Sequence, residues 1–249
     1  MMIDFHTHIL PGIDDGAKTP SISARMLDKE IEQGVKEVVL TPHYYGKESV
    51  AQFLSLRSEA YDALRAQNIT QIKFRLGAEV LLTGVNDPDN ELLCHLAIEG
   101  SRCVLIELPY ARWNESLFDK ISDFIADTGY SVVIAHAERY EELLKNPALV
   151  TLLADMGCYI QLNTSAFVHT HTKKFAFALL KHGLVHCLGT DAHNDEDRAP
   201  DYVSAKMAVE KAGYQAEWDE IQWCMTKILH GERLLKAYGT VKKFGKWYF

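Results

Sequence analysis

The sequence has no pair of cysteines spaced for a zinc ribbon or a redox motif. Its five cysteines, Cys94, Cys103, Cys158, Cys187 and Cys224, are odd in number and widely separated, with no CxxC among them. That pattern argues against a disulfide framework and for reduced thiols. No uninterrupted apolar run approaches the roughly 18 residues that a membrane helix needs, and no basic stretch leads into a short apolar one near the start. The expectation is a soluble, unsecreted, cytoplasmic chain without membrane insertion. Positive charge is in deficit, with 26 Lys and Arg against 34 Asp and Glu and a net charge of -8. General affinity for nucleic acid is therefore not expected, because neutralising phosphates needs clustered cations. Linkers, low-complexity tracts and internal repeats are absent too, and 249 residues suit one domain, residues 1–249, of the α/β-barrel size.

What is present is an alternation. Short apolar runs rich in β-branched residues, at 2–6, 37–41, 73–78, 102–108, 131–135, 158–163 and 185–189, alternate with longer segments whose apolar residues recur at three and four. Thr19-Pro20 opens a helix carrying Ile22, Met26, Leu27 and Ile31 that stops at Gly34; Asn146-Pro147 opens one ending at Gly157, and Asp201 one ending at Gly213. Strands and helices in this order give βα units and a parallel sheet. Seven units without a boundary favour a barrel, although an open doubly wound sheet shares the alternation.

In both architectures ligands bind beyond the carboxyl ends of the strands. Polar residues gather there. The first run is followed by His6, His8 and Asp15, the second by His43, and the third by Glu79; Glu107 ends the fourth, His136 and Arg139 follow the fifth, and Asp191 and His193 follow the seventh. His6 and His8, two apart on an extended segment, point to the same side. Burying so many ionisable groups together without a counter-ion would cost several kcal/mol each. A set of imidazoles and carboxylates with no thiolate suits Mn, Zn or Fe, and it exceeds what one ion can use. Two or three ions sharing a bridging carboxylate are expected. Such a cluster polarises a phosphoryl or carbonyl oxygen and supplies hydroxide at neutral pH.

The series HTHILPGIDDG, TPH, GAE, IEL, AHAERY and TDAHN resembles, in order and along nearly the whole chain, the PHP (polymerase and histidinol phosphatase) superfamily. Within it, the series is similar to the manganese-dependent tyrosine phosphatases of bacterial capsule and exopolysaccharide clusters. The resemblance implies a distorted (β/α)7 TIM-like barrel and up to three ions, Mn first, with Fe, Zn or Mg as alternatives. By motif, His6, His8, Glu79 and Asp191 would hold one ion, Glu79, Glu107 and His136 a second, and Asp15, His43 and His193 a third. Arg139 and Arg198 match the family's phosphate-binding arginines. The implied partner is the phosphorylated tyrosine-rich tail of a bacterial tyrosine autokinase that regulates capsule and exopolysaccharide synthesis. The end of the chain, KILHGERLLKAYGTVKKFGKWYF, departs from the family by lacking an Asn-Pro and adding a basic, aromatic finish, whose lysines are expected to be a solvated tail.

Other polar residues receive blander readings. Asp14 is expected to bind backbone in the Asp-Asp-Gly turn, and His169 and His171, in the polar run AFVHTHTKK, to sit in a solvated loop or helix start. His95, His182, His186 and His230 receive no role. Tyr44, Tyr45, Tyr110, Trp113 and Tyr140 follow the ligand-bearing strand ends and could wall a substrate ring or simply pack, Tyr110 and Trp113, just after Glu107, being the two singled out for ring contact. No cysteine is followed six places on by arginine, the residues there being Gly100, Pro109, Thr164, His193 and His230, so a thiolate phosphate loop is excluded. A protein-tyrosine phosphatase is the leading reading. The alternatives are a small-molecule phosphatase such as a histidinol phosphatase, an amidohydrolase, or a non-enzymatic domain stapled by metal.

Overall fold

Strands that are apolar at nearly every position, instead of at every second one, must be covered on both faces. The computed structural model, which describes residues 1–83 and 87–249, realises this with a ring of parallel strands inside a shell of helices. In chain order the strands are β1 (Met2–Thr7), β2 (Val35–Leu40), β3 (His43–Tyr44), β4 (Lys73–Leu76), β5 (Glu79–Leu81), β6 (Cys103–Glu107), β7 (Ser131–Ile134), β8 (Tyr159–Asn163) and β9 (Cys187–Gly189), followed by the hairpin β10 (Lys243–Phe244) and β11 (Trp247–Tyr248). The helices are α1 (Pro20–Glu32), α2 (Val50–Arg65), α3 (Asn90–His95), α4 (Glu115–Thr128), α5 (Glu141–Lys145), α6 (Ala148–Asp155), α7 (Lys173–Lys181), α8 (Val203–Lys211) and α9 (Gln215–Leu229).

Hydrogen bonding orders the strands as β1-β2-β4 in one parallel sheet and β3-β5-β6-β7-β8-β9 in another. The two sheets are halves of one distorted barrel, because β3 continues the line of β2 and β5 that of β4. Between β2 and β3 stands Pro42, which has no N–H for the ladder. Across this break Gly77 N–H donates to the Leu40 carbonyl (2.9 Å) and Glu79 N–H to the Pro42 carbonyl (3.0 Å). The run expected as one strand over 73–78 thus ends at Leu76, and Glu79, expected just after it, opens a second strand. The ring closes between β1 and β9, where Asp191 N–H donates to the His6 carbonyl (2.8 Å) and His8 N–H to the Ala192 carbonyl (2.9 Å). Counting β2 with β3 and β4 with β5, seven staves result, as the alternation predicts.

The helix punctuation acts through caps. The Thr19 side chain accepts from Ile22 N–H at the start of α1, and Asn114 does the same for Leu117 at α4, which ends on Gly129 at φ 65°. The Asp201 carboxylate accepts from Ser204 N–H (3.0 Å) at the start of α8. Trp218, Tyr140, Tyr202, Phe5, Phe53, Phe124, Phe167 and Phe175 are the largest aromatic anchors of the core, each at most 2% exposed. Among the described residues, no helix is long and apolar enough to cross a membrane.

One expectation is corrected here. The lysines near the end are not a free solvated tail, because β10 and β11 pair antiparallel. The Lys243 ammonium donates to the Leu144 carbonyl (2.6 Å), and the Tyr248 hydroxyl donates to the same oxygen (3.0 Å). Two donors on one carbonyl at the end of α5 fix the hairpin to the barrel.

The β1–β9 seam depends on a residue with no side chain. A Cβ on Gly189 would lie 2.5 Å from His6 Cβ and 2.8 Å from His6 N, contacts that only a separation of the two strands relieves. Gly189→Ala is therefore expected to lose roughly 1–3 kcal/mol of stability, the usual cost of overpacking, and to bind metal less tightly. Thermal unfolding monitored by circular dichroism checks this, and an unchanged midpoint would contradict the close approach.

Candidate metal centre

The side chains at the carboxyl ends of the staves converge. His6 and His8 bring their Nε2 atoms within 3.1 Å of each other, and Glu79 Oε2 stands 3.1 Å from the first and 3.2 Å from the second. Asp191 Oδ1 is 3.3 Å from His8 Nε2. His136 Nε2 lies 2.7 Å from Glu79 Oε1 and 3.4 Å from Glu107 Oε1. On the other side of Glu79, His43 Nδ1 is 3.0 Å from Oε2. At the rim, Asp15 Oδ1 is 3.5 Å from both His43 Nε2 and His193 Nε2. Three sets of ligand atoms cluster within 4.8 Å, namely His6, His8 and Glu79; His43, Glu79 and Glu107; and His8, Asp15, His43 and His193. All nine residues expected as ligands from the sequence fall in this region, with Glu79 at its middle.

This donor set fits divalent cations on its own chemistry. Glu79 Oε2 and His43 Nδ1 are buried and make no hydrogen bond, a costly condition for polar atoms without a counter-charge. Among the described residues the candidate ligand sets consist of imidazole nitrogens and carboxylate oxygens with no thiolate, which suits Mn, Fe or Zn better than a soft ion. The backbone is also held in unfavourable conformations here: His136 has φ 31° and Asp191 φ 53°. Left-handed torsions at non-glycine residues persist only where surrounding structure enforces them.

A second layer of polar groups orients the first. Asp14 binds backbone as expected, Oδ1 accepting from Gly16 N–H (2.9 Å) and Oδ2 from His43 N–H (3.0 Å). Oδ2 also lies 2.8 Å from His8 Nδ1, which orients the ring so that Nε2 is the nitrogen turned toward the centre. Gln161 Oε1 is 3.3 Å from His6 Nδ1 and accepts from His136 N–H (2.5 Å). Its amide donates to Asn163 Oδ1 (2.9 Å), and Asn163 Nδ2 donates to Asp191 Oδ2 (3.0 Å). β8 carries no residue expected from the sequence, because amides are not among the usual ligands of such ions. The signal was there: Gln161 and Asn163, two apart, are the polar positions of a strand buried throughout.

Electrostatics follow from these contacts. Burial opposes charge on His6, but the Glu79 carboxylate outweighs it and raises the imidazole above its ordinary value. For His8 burial is likewise outweighed, by the hydrogen bond to Asp14 and the adjacent carboxylates of Asp191 and Glu79, and the rise is larger. Burial and the Glu79 charge push Glu107 up to about 7. Burial and the His8 charge take His193 down to about 4. Asp191 is held well below the carboxylate range, since bonds from His8 and the charges of His6, His8 and Arg139 overcome its burial.

Both expected arginines meet at Asp191. Arg139 forms an ion pair with Oδ2, and Arg198 reaches the same oxygen at 3.2 Å. Tyr110 is 61% exposed, and its hydroxyl lies 3.5 Å from His136 Nδ1. Trp113 is half-buried, its indole N–H donating to the Pro109 carbonyl (2.9 Å) and its ring edge-on to Tyr140. Tyr110, Arg112, Trp113, Arg139, Tyr140 and Lys145 line an adjoining cavity of about 470 Å³. Tyr45, one of the aromatics expected to wall a ring or simply pack, stacks on His43 at 4.7 Å. His169 and His171 lie in an exposed turn before α7.

The family model described as capsular polysaccharide synthesis, CpsB/CapC, matches residues 2–228. The tyrosine-protein phosphatase YwqE of Bacillus subtilis is 31% identical over 206 residues, covering 79% of this chain and 79% of YwqE. Among solved structures, a chain from the work on YwqE of Bacillus subtilis and CpsB of Streptococcus pneumoniae, unique metal-dependent tyrosine phosphatases, superposes with a TM-score of 0.85 at 25% identity, covering 97% of this chain and 100% of that one. A histidinol phosphate phosphatase from Lactococcus lactis, bound to zinc, L-histidinol and phosphate, shares the fold with a TM-score of 0.52 at 16% identity, covering 85% of this chain and 94% of its own.

The raised His6 and His8, and Glu107 at about 7, fix a sign for metal uptake. Groups raised in the metal-free fold keep their protons to higher pH, and ligation requires those protons to leave. Metal binding near pH 6.5 is therefore expected to release at least about one proton per chain, with affinity falling as pH drops. Calorimetry in two buffers of different ionisation enthalpy measures this; binding with no proton release would contradict the assignment.

Proposed function

The chain belongs to the CpsB/CapC family of capsular polysaccharide synthesis, and from that membership and the geometry of the centre we propose a metal-dependent phosphomonoesterase that hydrolyses phosphotyrosine in protein. The observation that carries the reading is the convergence of buried imidazoles and carboxylates on Glu79 beside two arginines and an aromatic-lined cavity. The ion-holding groups would be His6, His8, Glu79 and Asp191; Glu79, Glu107 and His136; and Asp15, His43 and His193, with Mn the ion of first choice for this N and O set. Bound divalent ions supply charge neutralisation for the phosphate and hydroxide at neutral pH.

The chain's own residues do the rest. Arg139 and Arg198 turn from Asp191 toward the equatorial phosphate oxygens, where their fixed charge counts most in the transition state. Asp191 stays in place when they do, because Asn163 also holds it. The phenyl ring lies against Tyr110 and Trp113, the first exposed, the second fixed by its bond to Pro109. No thiol takes part: Cys103 and Cys158 are buried and pushed up to about 12 by that burial. The natural substrate on this reading is the phosphorylated tyrosine-rich tail of a bacterial tyrosine kinase acting in capsule or exopolysaccharide synthesis, met in the cytoplasm by residues 1–249 as one catalytic unit. A flexible tail reaches a rim site with little rearrangement of the enzyme.

Arg139→Ala is expected to lower turnover of an aryl phosphate by roughly 10²-fold or more while metal content stays near that of the parent. His136→Ala and Glu107→Ala are expected to lose metal. Plasma emission spectrometry beside kinetics separates the roles, and an emptied centre in Arg139→Ala would refute the division.

Substrate class is tested by kcat/KM on phosphotyrosyl and phosphoseryl peptides and on histidinol phosphate. Preference for phosphotyrosine with tolerance of peptide sequence is expected, and Tyr110→Ala should cost more on phosphotyrosine than on a small alkyl phosphate. Equal values for the two peptides, or faster histidinol phosphate hydrolysis, would support a small-molecule phosphatase instead.

A further inference from the structure

The hairpin of β10 and β11 takes no part in the centre, and its two faces are unlike. Lys243 stands opposite Tyr248, and Phe244 opposite Trp247. The first pair faces the barrel, where both side chains reach the Leu144 carbonyl and Tyr248 packs edge-on to Phe175. Side chains alternate along a strand, so Phe244 and Trp247 face the other way. Lys242 and Phe249 extend that outer face, their backbones exchanging two hydrogen bonds of 2.9 Å. Phe244 is 79% exposed, Trp247 54% and Phe249 56%. The Lys174 ammonium sits 4.2 Å from the Trp247 ring centre, and Lys246 5.8 Å from it. Residues 236–249 contain Lys236, Lys242, Lys243 and Lys246 and no acidic residue, in a chain of net charge -8.

We propose that this outer face docks the protein reversibly on an anionic lipid bilayer, with the rings of Phe244, Trp247 and Phe249 at headgroup depth and Lys174, Lys242 and Lys246 on the lipid phosphates. Aromatic rings beside lysines are what the bilayer interface accepts, since rings partition to that level and ammonium groups stay at the charged surface. Each lysine near an anionic leaflet strengthens partitioning by about fivefold. Self-association is disfavoured by the same charges, because a two-fold dimer places a patch against its own copy and would set lysine on lysine. A short hairpin with exposed rings is a projection, which a fluid interface can yield to. The proposal is independent of the phosphatase reading.

The test uses the metal-loaded full chain and sedimentation with vesicles of phosphatidylcholine alone or with about 30% phosphatidylserine at physiological salt. The protein is expected to sediment with the anionic vesicles and not with the neutral ones. Lys242→Glu with Lys246→Glu, and separately Phe244→Ala with Trp247→Ala, should each reduce binding at least tenfold while hydrolysis of p-nitrophenyl phosphate and the melting midpoint stay unchanged. Brominated anionic lipid should quench part of the tryptophan fluorescence, and Trp247→Phe should abolish that quenching, which reads the contact without any loss of fold. Equal binding to both vesicle types, no binding, quenching that survives Trp247→Phe, or vesicle binding by both double variants at parental strength would overturn the proposal. Capture by an immobilised acidic peptide without any anionic-vesicle binding would assign the face to a protein partner instead.

Discussion

The Glu79 carboxylate is the constraint on which the rest of the site depends. It is buried, and four imidazoles from the strand ends around it, those of His6, His8, His43 and His136, stand within 3.2 Å of its two oxygens. One of those oxygens makes no hydrogen bond. Such an arrangement is costly in a low-dielectric interior unless cations share it. The divided stave makes it possible: β4 stops at Leu76, β5 starts at Glu79, and the carboxylate projects into the barrel mouth instead of continuing a regular ladder.

The same requirement explains why the supporting polar residues cannot be exchanged freely. Asp14 and Gln161 each hold an imidazole by Nδ1, leaving Nε2 toward the centre, and Asn163 fixes Asp191. An error of half an ångström in any ring would misdirect a ligand atom, so the orienting groups carry specificity that the ligands alone do not. The closed seam at Gly189 serves the same end by setting β1 against β9, which brings His6 and His8 to Asp191.

Much of this is legible in the amino-acid sequence. Strands buried on both faces read as continuous apolar runs, and ligands at strand ends read as histidines and acids directly after them, so the staves and the ligand region could both be placed. What escaped had physical reasons. The gap between β4 and β5 depends on tertiary pairing across Pro42 and Gly77, which no local pattern announces. Gln161 and Asn163 escaped because a buried amide pair has no identity apart from what it touches. The hairpin of β10 and β11 escaped because a lysine-rich segment reads as solvated, and what folds it back is tertiary: the Leu144 carbonyl and the Phe175 ring.

The central claim is that the centre works only with divalent ions held around Glu79. The most direct measurement is turnover of an aryl phosphate against metal content per chain, from exhaustively chelated protein through stepwise return of Mn. The account predicts no turnover in protein verified to be free of metal, and recovery that needs about two to three ions per chain. Full turnover in verified metal-free protein would contradict it.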